Sequence, residues 1–133
     1  MIAVLATQNI TADLQEIAAF WHDRDYPAGS DAMLAELNLP AIPNLICHPR
    51  MGRNFFARQP QSIDDQIRVQ KLAALLKTMA APGEAAELRE YVITDYLLLY
   101  LLSGTTIHLL AIKPTSSWSL IFSNLGNLDQ FDL

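Results

Sequence analysis

The sequence predicts an α+β domain in which an N-terminal strand and a helical hairpin pack on a small antiparallel sheet, with an additional inserted helix. Three observations carry this reading. Apolar residues first recur at helical spacing, as Leu14, Ile17, Ala18 and Trp21, and again as Met33, Leu34 and Leu37. The pattern then changes period, and segments 88–93, 96–102 and 105–112 are rich in Tyr, Leu, Ile and Thr, the composition of strands. The breaks between these segments, Thr94-Asp95 and Ser103-Gly104, are short, and the second is a two-residue hairpin signal.

The elements follow in chain order. Residues 2–6 form a short apolar run, read as the first strand. Thr11 stands as an N-cap with Asp13 in the first turn, where the helix dipole favours a carboxylate. This first helix stops near Asp25-Tyr26-Pro27, because the residue before proline avoids helical geometry. Gly29-Ser30-Asp31 restarts a second helix, and the two make a hairpin. Pro40 and Pro43 predict a kink within 39–43, since each proline removes a backbone donor. One further turn then runs to Cys47, and 48–53 is a loop. Ser62 caps the inserted helix 62–79, whose Leu72, Leu75, Leu76 and Met79 form an apolar stripe, and Pro82-Gly83 ends it. That stripe is expected to be buried, on the domain or in self-association. Segment 96–102 is apolar at every position and is therefore expected as the central strand, covered on both faces.

A chain of 133 residues fits one domain, with 51% hydrophobic and 17% charged residues. This composition excludes a disordered or fibrous protein. The formal net charge of −5 disfavours a protein that grips nucleic acid through many phosphates, and suits a protein partner with a basic patch. Cys47 is the single cysteine, which rules out an intramolecular disulfide and fits a reducing cytoplasm. Residues 1–8 carry no Lys or Arg and do not read as a signal peptide. No apolar run approaches the ~20 residues that a membrane-spanning helix needs.

Chemistry is sparse. There is no glycine-rich phosphate loop, no paired Cys-x-x-Cys and no His-x-x-x-His spacing. Cys47 and His48 are adjacent and have no further cysteine to complete a metal site, so the reading is a partly buried thiol beside a loop histidine. The polar cluster His22-Asp23-Arg24-Asp25 reads as a solvated helix end. His108 points away from the core if Ile107 and Leu109 face it. Tyr91, Tyr96 and Tyr100 are strand tyrosines, whose default role is packing with an edge hydroxyl. Glu87 and Glu90 fall on opposite faces of a strand and form no acid/base pair there. No cofactor, metal or catalytic set is expected.

One ordered ensemble stands apart. It runs Pro49-Arg50-Met51-Gly52-Arg53, then Glu87-Leu88-Arg89-Glu90-Tyr91, then Asp95-Tyr96-Leu97-Leu98-Leu99-Tyr100, then Ile107-His108-Leu109-Leu110-Ala111-Ile112-Lys113. Over residues 1–113 this resembles the RelE/ParE superfamily of bacterial toxins from type II toxin–antitoxin systems. The chain departs from that pattern by its inserted helix 62–79 and by a divergent tail, 114–133, without Lys, Arg or His. The resemblance implies a cytoplasmic protein bound and neutralised by a cognate antitoxin, without membrane contact or sequence-specific nucleic-acid binding. RelE-like members cleave ribosome-bound mRNA, and ParE-like members bind and inhibit DNA gyrase. Leu88, Glu90 and Leu97 stand where a ribonuclease member carries cations, so the resemblance points to the ParE-like activity. The alternatives are a degenerate, non-toxic member that only binds antitoxin, and an mRNA interferase. The partner-binding residues it implies are Arg50, Arg53, Arg89, Tyr91, Tyr96, Tyr100, His108 and Lys113.

Overall fold

A computed structural model describes residues 2–55, 63, 66, 67, 70, 86–93 and 95–114. Strand β1 (Ala3–Ala6) leads into helix α1 (Gln8–His22), followed by α2 (Ala28–Glu36). A wide helical turn, Leu37–Ala41, joins α2 to the short α3 (Ile42–Cys47). Strands β2 (Arg53–Asn54), β3 (Ala86–Ile93), β4 (Tyr96–Ser103) and β5 (Thr106–Pro114) complete the described elements. The fold is α+β, with its helices toward the N-terminus and most of its strands toward the C-terminus.

The sheet order is β1-β5-β4-β3-β2. Strands β2 to β5 pair antiparallel, as the hairpin signals require, and Gly104 takes a φ of 59° at the β4–β5 turn. Strand β1 joins the edge of β5 in parallel, Ala3 opposite Thr106 and Ala6 opposite Leu109, so the whole sheet is mixed. A bulge between Leu99 and Tyr100 shifts the β4–β5 register. Both faces of β4 are buried, as expected from its unbroken apolar run. Leu98, Tyr100 and Leu102 join the core with Ile10 and Ile17 of α1 and Met33 of α2, while Leu97, Leu99 and Leu101 are buried on the opposite face.

Three local expectations change. Thr7, not Thr11, caps α1, its Oγ1 accepting from the Ile10 amide at 3.4 Å. The same hydroxyl donates to the Leu109 carbonyl at 2.8 Å, so β5 selects the cap and starts the helix one turn earlier. Asp13 consequently leaves the first turn and is buried in the helix interior. Cys47 is exposed rather than partly buried, because it ends α3 on the outside of the domain. The proline break is localised at Leu39, whose φ of −153° and ψ of 114° are extended, as befits a residue before proline. Of the inserted helix, Ile63, Gln66, Ile67 and Gln70 are helical, with Ile67 45% exposed. Its stripe Leu72, Leu75, Leu76 and Met79 lies outside the described residues, as does the tail beyond Pro114. Among the described residues, no helix is long and apolar enough to cross a membrane.

Candidate functional site

Loop 48–52 and strand β2 run beside β3, and the arginines of the first motif meet the acids of the second. Arg53 lies opposite Glu90 in the β2–β3 register. Its Nε and Nη2 donate to Glu90 Oε1 at 2.8 and 2.7 Å, and the Glu90 side chain is only 1% exposed. Arg50 Nε donates to Glu87 Oε2 at 2.8 Å, and Arg89 Nη2 to Glu87 Oε1 at 3.0 Å. Arg89 Nη1 also reaches the Gly52 carbonyl at 2.6 Å. Three guanidiniums thus face two carboxylates, leaving one positive charge in excess. Burial opposes ionisation of Glu87, but the hydrogen bonds and charges of Arg50 and Arg89 outweigh it and hold the carboxyl below its ordinary range.

Tyr100, from the third motif, locks this loop in place. Its hydroxyl donates to the Pro49 carbonyl at 2.8 Å and accepts from the Gly52 amide at 3.1 Å. The ring is fully buried, and burial raises its pKa. Only glycine fits at position 52, since a Cβ there would stand 2.5 Å from the Tyr100 hydroxyl and 2.7 Å from the Glu90 carbonyl oxygen. Motifs up to 51 residues apart therefore close into one hydrogen-bonded unit.

Other expected residues lie elsewhere. Lys113 Nζ pairs with Asp13 Oδ1 at 2.8 Å and lies 3.6 Å from Glu16 Oε2, with its side chain 12% exposed. Asp13 Oδ2 accepts from the Ile112 amide at 3.1 Å. Burial raises the Asp13 pKa more than Lys113 lowers it. Asp13, Lys113, Phe20 and Tyr96 line a cleft of about 350 Å³. Tyr91 is half-buried opposite Leu98 and packs on the core. His108 turns away from the face that holds Ile107 and Leu109, and partial burial lowers its pKa. Glu87 and Glu90 do point to opposite faces, but each acts as a counter-ion to arginine. That role was hidden because β2, which brings Arg53 to Glu90, is two residues long and has no periodicity of its own. The end of α1 is a solvated terminus, where Arg24 lies 3.6 Å from the centroid of the Phe20 ring. Among the described residues, no group of three or more His, Cys, Asp or Glu side chains is placed to hold a metal ion.

Comparison with models of known protein families and with curated proteins finds no match to the chain.

Proposed function

We propose that this protein is the toxin component of a type II toxin–antitoxin system, of the ParE-like kind, which binds and inhibits DNA gyrase and is neutralised by a cognate antitoxin. The observation that carries this reading is the closure of the loop and strand motifs into one unit through Tyr100, Glu87 and Glu90. Residues that follow the order of that family's motifs also bond to one another here, which supports the reading. The same unit favours protein binding over RNA cleavage. A ribonuclease needs cations aimed at a phosphate to stabilise the charge that develops there, whereas Arg50, Arg53 and Arg89 are each engaged by a carboxylate. Of the three arginines in the unit, Arg50 is the most open to a partner, with its side chain 72% exposed.

The degenerate reading is favoured by the engagement of all three arginines with carboxylates, which leaves a single positive charge in excess. Induced expression in bacteria, with and without a neighbouring antitoxin gene, tests the choice. Growth arrest relieved by the antitoxin is the expected result. Antitoxin binding without arrest would favour the degenerate reading, and codon-dependent mRNA cleavage in a purified translation system would favour the interferase.

A further inference from the structure

The two ends of the sheet are finished differently. At one end, β2 is two residues long and sets Arg53 against Glu90. At the other, the pairing of β5 with β1 stops at Leu109, and side chains of α1 then take over the edge of β5. Asn9 Nδ2 donates to the Leu110 carbonyl at 2.8 Å, and Asp13 Oδ2 accepts from the Ile112 amide at 3.1 Å. Short, charged or covered edges keep a sheet from adding further strands.

The outer edge of β1 carries none of these guards. Residues 2–6, Ile-Ala-Val-Leu-Ala, include no charge and no proline. The Ala3 amide donates to the Thr105 carbonyl at 2.9 Å and the Thr7 amide to the Leu109 carbonyl at 3.2 Å, so alternate residues from Ala3 onward turn toward β5. A parallel strand directs its main-chain groups alternately to its two sides, so the Val4 amide and carbonyl and the Ala6 amide point outward. Among the described residues, no strand pairs with that edge, because β1 ends the sheet order. Such a row of outward amides and carbonyls selects another extended main chain. The side chains alternate as well. Val4 packs on the core, whereas Ala3 is exposed and Leu5 is 52% exposed.

We propose that the strand added at this edge is β1 of a second copy of the chain, antiparallel about a two-fold axis through Val4. This register sets Val4 opposite Val4 and the Ala6 amide opposite the Ile2 carbonyl, so the outward groups of each copy meet those of the other. It also sets Leu5 of each copy beside Ala3 of the other, a large side chain against a small one, which shields the exposed leucine. The charge of −5 on each chain opposes a broad contact between copies and confines it to this uncharged edge. A strand of four residues buries less than a standard interface, so the dimer is weak, with half-association on the order of 0.1 mM. The assignment is independent of whether gyrase is the target.

Sedimentation velocity of the full chain over a concentration series is the test. The mass should rise toward that of two chains, and rise further with added salt, which screens the like charges. Ala6→Pro removes an outward amide at an exposed position, and Leu5→Lys places a charge on the edge. Each should remain a folded monomer, with folding checked by circular dichroism. Val92→Lys, at an exposed apolar residue of β3, should associate like the parent. The register is read by disulfide formation in a Cys47→Ser background. A mixture of Ala3→Cys and Leu5→Cys chains should cross-link about tenfold faster than either chain alone, because only the mixture brings two thiols face to face. A parent that keeps single-chain mass well above the expected midpoint would overturn the proposal. So would association that survives both Ala6→Pro and Leu5→Lys or is lost in Val92→Lys, and so would cross-linking no faster in the mixture.

Discussion

At the scale of single residues, Tyr100 and the two motif acids make sharply different demands on stability. Tyr100→Phe leaves the Pro49 carbonyl and Gly52 amide without their partner, and should cost about 1–3 kcal/mol in urea unfolding, the usual penalty for orphaned buried polar groups. Gly52→Ala should destabilise by a similar ~1–3 kcal/mol, because one of the atoms its Cβ would meet is backbone and cannot swing aside. The two ion pairs should also part company. Arg53→Ala strips a partner from a carboxylate 1% exposed and should cost about 1–3 kcal/mol, whereas Arg50→Ala, at a side chain 72% exposed, should change stability by no more than about 1 kcal/mol. Equal effects in the two variants would contradict this difference in burial. The Glu87 carboxyl is held below its ordinary value of 4.5, so its pairing stabilises the fold above that pH and is lost as pH falls through the lowered value. Glu87→Gln should therefore lower the Tm at pH 7 and lose its effect in strong acid. A Tm difference that does not vary with pH would rule out this linkage.

At the scale of elements, sequence periodicity reached the strands more securely than the helix starts. The β3–β4–β5 meander was legible because 96–102 is apolar throughout and Ser103-Gly104 marks a turn. The start of α1 was not legible, since Thr7 and Thr11 are both good caps and only the long-range bond to Leu109 separates them. Thr7→Ala should accordingly cost about 1–2 kcal/mol in thermal or urea unfolding, while the same change at Thr11, now inside the helix, should cost markedly less. A larger loss at Thr11 would put the cap back where the sequence first placed it. Asp13 and Lys113 were individually visible, but their pairing across 100 residues depends on α1 lying against β5, which no local pattern encodes.

At the scale of the whole molecule, two separate groups of paired charges stand out among the described residues. One holds Arg50, Arg53 and Arg89 with Glu87 and Glu90, and the other holds Lys113 with Asp13 and Glu16. The central claim is that the chain poisons DNA gyrase by binding it, and supercoiling by purified gyrase tests this most directly. With increasing protein, supercoiling should fall and cleaved DNA complex should accumulate, and Arg50→Ala should weaken both effects while keeping the fold. Unchanged supercoiling and no cleaved complex at any protein concentration would contradict the claim.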